Sequence, residues 1–176
     1  MRAGSVGEDV PPGISAEDAS LLLAERKAHA ALRGLPPDDA ILLAADTIVA
    51  LETPDGVVLL GKPADERDAR AMLERLSGSR HKVVTGVCAL RTRDLASAQG
   101  WERTFVTMRA ISAAEVEAYV ISREWEGKAG GYAIQESADR FVTRLEEGGF
   151  DNVVGLPVRL ALDLLARLGA EVPGRG

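Results

Sequence analysis

With 176 residues, 46% of them apolar and 27% charged, the chain is long enough to bury a real core and reads as one domain over 1–176. Its net charge of −6, from 27 acidic and 21 basic side chains, argues against a general nucleic-acid or anionic-membrane surface, which needs a basic footprint. One cysteine, Cys88, excludes an intramolecular disulfide and a cysteine zinc site, and two scattered histidines, His29 and His81, are too few for a histidine metal cluster.

Residues 1–14, polar and rich in Gly and Pro, read as loop. Ser15, with Asp18 three places on, caps an Ala/Leu-rich helix that ends before Gly34. Pro36-Pro37-Asp38-Asp39 breaks the chain ahead of a strand at 41–51. The turn Thr53-Pro54-Asp55-Gly56 and a short strand at 57–60 make 41–60 a hairpin. Asp65 caps a helix over 66–76 that Gly78 stops. A strand at 82–91 follows, with Cys88 inside it as a buried, inert thiol, then a polar loop at 92–100 and a strand at 102–109.

Ser112-Ala113-Ala114-Glu115 is a capping box for a helix to about residue 122. The Gly-rich loop 127–131 leads into Tyr132-Ala133-Ile134-Gln135, and a strand at 140–146 turns through Gly148-Gly149. Pro157 fits the first turn of a last helix over 158–168. Interleaved helices and strands without an internal repeat predict an α/β fold, a mixed twisted sheet flanked by helices. Trp101, Trp125 and Tyr132 read as packing or edge residues rather than a nucleobase cage. No apolar run approaches the ~20 residues of a transmembrane helix. The N-terminus has no signal-peptide pattern, so the expected compartment is the cytoplasm, with no membrane partner.

Ala44-Ala45-Asp46-Thr47 stands inside the apolar run 41–51, with Gly61-Lys62-Pro63 shortly after. An acid in a buried strand is costly to desolvate unless a cation or proton compensates it. Carboxylate plus lysine is what a metal–phosphate site needs: the first holds a hard cation or activates water, the second neutralises phosphate oxygens. Taken alone the pair is weak evidence, because an Asp ending a strand is more often a turn or cap residue.

The ordered set Ala45-Asp46-Thr47, Gly61-Lys62-Pro63, Leu76-Ser77-Gly78 with His81-x-Val83-x-Thr85-Gly86, Lys128-Ala129-Gly130-x-Tyr132-x-Ile134-Gln135 and Asn152-Val153-Val154-Gly155-Leu156-Pro157 resembles the Maf nucleotide pyrophosphatases. The resemblance runs from about residue 4 to 168. It implies a Maf/ITPase-like fold, hydrolysis of nucleoside triphosphates to the monophosphate and pyrophosphate, and a divalent metal cofactor, Mg²⁺ or Mn²⁺. Carried over motif by motif, Asp46 is the general base or metal ligand, and Glu8 is a family acid near the metal. Lys62 is a phosphate clamp and Lys27 a second family lysine. Thr47 and Gln135 bear on base choice and place the chain with the dTTP/UTP branch, because an amide donates and accepts toward a pyrimidine's O4 and N3–H. A homodimer is the assembly the resemblance suggests.

The chain departs from the family at its start, since the family's first strand and the Ser-x-x-Arg stretch that cradles the triphosphate are not matched. Ser77 to Arg80 and Ser137 to Arg140 fit that pattern but belong to other motifs. Gly7, Ala44, Glu136-Ser137 and Asp151 also differ from the family's usual residues. The expectation is a truncated enzyme, because the acid and lysine positions are intact. The alternative is a degenerate paralogue that binds a nucleotide or a partner, acting in cell-division control.

Overall fold

Strand-forming sequence dominates this chain where β-branched and small apolar residues alternate or run together, and each such run becomes a strand. In the computed structural model, which describes residues 10–34 and 40–171, these are β1 (Ile41–Thr53), β2 (Gly56–Leu60), β3 (Arg80–Arg91), β4 (Ser97–Met108) and β5 (Val142–Glu146). They form one sheet in the order β2-β1-β3-β4-β5. The expected α/β class holds, helices flanking a sheet. All four pairings are antiparallel, so among the described residues there is no parallel pair of the kind a mixed sheet contains. Central β3 is buried from Val83 to Leu90, which explains why it reads as an unbroken apolar run rather than an alternating one.

One face carries α1 (Ala16–Leu32), whose cap Ser15 accepts a bond from Asp18 N at 3.0 Å, as the sequence predicts. Its small side, Ala19, Ala24 and Ala28 with Leu23, lies against Ile48, Ala50, Val84, Cys88 and Leu90. Gly86 makes that contact close: a Cβ there would stand 2.4 Å from the backbone carbon of Ser20.

The opposite face is covered by α2 (Glu66–Leu76) and α3 (Ala113–Ser122), through Leu73, Leu76, Tyr119 and Val120 against Val49, Val83, Val106 and Met108. Burying each leucine there contributes roughly 1.5–3 kcal/mol. Both halves of the Ser112–Glu115 capping box form, and Arg109 beside Glu115 pulls that carboxyl down to about 2. Two single-turn segments, Ala129–Gly131 and Ser137–Phe141, complete this layer. Further along the face, α5 (Val158–Arg167) packs Ala161 and Leu164 on Val87 and Ala89.

Beyond shifts of one or two residues at strand ends, the structure departs from expectation in four places. β4 starts at Ser97, within the expected loop, because pairing Leu90 with Ser97 overrides the weak strand propensity of Ser97-Ala98-Gln99-Gly100. The closing turn is tied by Arg91 N to Ala96 O at 2.8 Å and by Arg91 on Asp94. β5 starts at Val142, after the Ser137–Phe141 turn has used residues 140 and 141. Phe150–Val154, where the sequence predicts no element, forms a short helix, α4, closed by Gly155 at φ +116°. Pro157 stands at the N-cap of α5 rather than in its first turn, and Asp151 Oδ2 accepts the Val158 N–H at 2.8 Å. Pro36 to Asp39 lies outside the described residues. Among the described residues no helix is long and apolar enough to cross a membrane.

Candidate active site

β2 pairs with β1 only from Val49 onward, whereas β3 follows β1 from Ile41 to Ala50. Asp46 and Thr47 therefore sit where β1 has a strand on one side and, among the described residues, none on the other. Successive residues of a strand face opposite ways, so the acid goes to the α1 face and the hydroxyl to the other. A cleft of about 260 Å³ wraps this open edge.

Lys27 lies one helical turn beyond Leu23, which packs against the sheet, so α1 delivers it to the rim above Asp46. Its Nζ forms an ion pair with Asp46 Oδ1 and donates to Ala45 O at 3.2 Å. Asp46 is mostly buried, with 11% of its side chain exposed, and the ammonium supplies the compensating charge that a buried carboxylate requires.

The other wall is the loop 127–135. Gly130 N donates to Gly61 O at 2.9 Å, which sets this loop beside Lys62. Gly130 is at φ +69° and lies so near β1 that a Cβ would meet Val49 Cγ2 at 2.8 Å; a side chain is excluded there on both counts. Tyr119 Oη accepts the Ala133 N–H at 3.0 Å. Tyr132 Oη lies 3.0 Å from His81 Nε2, and His81 Nδ1 lies 3.2 Å from Ser79 Oγ. Ser79 gives its proton to Leu76 O at 2.8 Å, so His81 must donate through Nδ1 and accept from Tyr132 at Nε2. Burial pushes His81 down to about 4, keeping the ring neutral, and pushes the Tyr132 hydroxyl up.

The cleft gathers Asp46, Lys27, Lys62, Thr47 and Gln135, five of the six residues the sequence singles out. Glu8, the sixth, lies outside the described residues. Lys128 lines the cleft as well, with Glu136 3.7 Å from its ammonium. Sequence reasoning passed over Lys128 although it opens one of the quoted motifs; its position at the mouth of a Gly-rich loop was the available signal. Among the described residues lining the cleft the cations are Lys27, Lys62 and Lys128 and the acid is Asp46. Val49, Val83, Ala133, Ile134, Val153 and Val154 form the apolar part. Such a lining can hold a polyanion together with a flat, partly apolar group.

A family model described as Maf-like protein matches residues 2–168. The chain is 44% identical over 169 residues to the dTTP/UTP pyrophosphatase of Sphingopyxis alaskensis, covering 96% of this chain and 84% of that protein. It is 43% identical over 151 residues to the protein of that name from Pyrococcus abyssi, covering 86% and 76%. For the one from Pelotomaculum thermopropionicum the figures are 40% over 172 residues, 98% and 86%.

Proposed function

This chain belongs to the Maf family, and on that premise we propose that it hydrolyses dTTP and UTP, and modified pyrimidine triphosphates, to the monophosphate and pyrophosphate. The observation that carries the reading is the Lys27–Asp46 ion pair at the open edge of β1, in one cleft with Lys62, Lys128, Thr47 and Gln135.

Lys27 occupies Asp46 Oδ1, so Oδ2 is the oxygen that takes a proton from water. The water oxygen bonds to the α-phosphorus, the bond from that phosphorus to the α–β bridging oxygen breaks, and pyrophosphate leaves with that oxygen. Lys62 and Lys128 hold the charge that develops on the leaving group. Thr47 and Gln135 meet the polar edge of the pyrimidine, and the apolar residues pack its faces.

A divalent cation, Mg²⁺ or Mn²⁺, would neutralise charge across the phosphate oxygens. The donor set fits such an ion: Mg²⁺ commonly takes one or two carboxylates and completes its shell with substrate phosphates and water. Beside Lys27, Asp46 has Oδ2 as its one hard oxygen donor, which would serve as the ion's ligand in place of acting as the base, and among the described residues no group of three His, Cys, Asp or Glu gathers into a self-contained metal cage. We extend the same reading to a homodimer in the cytoplasm, which sedimentation velocity and cell fractionation check.

The test is pyrophosphate release from dTTP and UTP with Mg²⁺ or Mn²⁺. Turnover by the parent and its near loss in Asp46→Asn are expected; equal rates overturn the reading. Gln135→Glu lowers kcat/KM for both nucleotides by about tenfold, since an acceptor then faces the pyrimidine O4. An unchanged kcat/KM for dTTP and UTP relative to guanine nucleotides removes Gln135 from the recognition site.

A further inference from the structure

We propose that Thr85 fixes the polarity of the Thr47 hydroxyl, so that the base end of the cleft offers a hydrogen-bond acceptor and favours uracil and thymine over cytosine. The inference rests on the pyrimidine reading above and adds Thr85 to it as a positioning residue.

Thr85 is fully buried, and its Oγ1 lies 2.8 Å from Asn152 O. A carbonyl oxygen only accepts, so the single Thr85 proton lies in that contact; two oxygens so close with no proton between them would repel. Thr47 Oγ1 is 2.9 Å from Thr85 Oγ1. With the Thr85 proton committed, Thr47 is the donor in this pair. Its own proton is thereby directed into the sheet, and lone pairs are what it presents to the cleft.

The acceptor at the end of this relay is held in place. Asn152 is fully buried, and its Nδ2 donates to Val83 O at 3.2 Å and to Thr104 Oγ1 at 2.9 Å. Thr104 in turn donates to Gly149 O at 3.2 Å. Gln135, by contrast, is exposed at the rim, and its amide can turn to donate or accept. Discrimination therefore falls on Thr47. Uracil and thymine carry a proton on N3 and satisfy it; cytosine carries a bare N3 acceptor and does not.

The experiment compares parent, Thr85→Val, Thr85→Ser and Thr47→Val for kcat/KM with UTP and CTP, and for affinity toward UMP and CMP by titration calorimetry. Thr85→Val frees the Thr47 proton to turn into the cleft, and the UTP-to-CTP ratio should fall by about tenfold. Thr85→Ser keeps the hydroxyl and should keep the ratio within about threefold of the parent. If Thr85→Val does not fold, Thr47→Val carries the test: the uracil ligands lose about tenfold and the cytosine ligands do not. A parent indifferent between UMP and CMP, a folded Thr85→Val with an unchanged ratio, or loss of the ratio in Thr85→Ser overturns the inference. Absence of any triphosphate hydrolysis would overturn the proposed function instead, and the monophosphate affinities would still decide the relay.

Discussion

One wall of the cleft is regular structure and the other is not. Asp46 and Thr47 stand on β1, which β3 matches residue for residue over 41–50, whereas Lys128 to Gln135 stand on a loop pinned at Gly130, Tyr132 and Ala133 by separate hydrogen bonds. The strand wall cannot shift without breaking a ladder of backbone bonds. The loop wall depends on individual contacts and can fail one contact at a time. In the proposed reaction, proton transfer, which tolerates little misplacement, falls to the strand, and grip on the substrate is shared with the loop.

The sharpest break between the walls is Asp46→Asn. The amide is isosteric and the ladder is untouched, so kcat should drop at least ~100-fold while the unfolding midpoint stays put. Pyrophosphate release within threefold of the parent would remove Asp46 from the chemistry.

Acid should loosen the loop wall next. Burial sets the folded His81 near 4, below its ordinary 6.5, so between those values the unfolded chain binds a proton that the native chain does not. Stability is therefore complete well above pH 6.5 and declines as the pH falls toward 4, by roughly 2–3 kcal/mol at pH 4.5. Urea midpoints across this range should show the slope, and His81→Gln should flatten it. Parallel slopes for the two proteins would rule out His81 as the titrating group.

Lys128→Met tests the loop's share of phosphate binding. We expect kcat/KM for UTP to fall about tenfold, with Lys128→Arg recovering most of it. No change would return Lys128 to being a surface partner of Glu136. The smallest effect belongs to Tyr132→Phe, which leaves His81 Nε2 without its donor and costs about 1 kcal/mol of stability. Its kcat should be closer to the parent's than its KM. A pure kcat effect would mean that the two walls are mechanically one.

What could be read from the sequence divides along the same line. Caps at Ser15, Asp65 and Ser112 are local signals, and they placed α1, α2 and α3. The early start of β4 and the short helix α4 depend on partners far along the chain and leave no local mark. At the site, Asp46 announced itself as a charge in an apolar run and Lys62 by its Gly-Pro setting. Lys27, Thr47 and Gln135 were legible only through the resemblance, and the structure brings all three to Asp46's cleft. Thr85, Asn152, Tyr119 and His81 were invisible as a framework, because a hydroxyl or phenol shows its partner only when the strands are side by side.

Gly86 sets how much variation this architecture can absorb. Every replacement of glycine adds at least a Cβ, and here that atom would strike backbone atoms of Ser20 and Leu21 at 2.4–2.6 Å. The helix that carries Lys27 to Asp46 would have to lift to admit it. At Gly100, on β4, the same added atom meets the tip of Leu160 at 2.8 Å, and a side-chain end can turn aside. Position 100 thus has neighbours in sequence space and position 86 has none. A substitution there, directly across the ladder from Asp46 but outside the cleft lining, would reach the site by changing the height at which a helix rides.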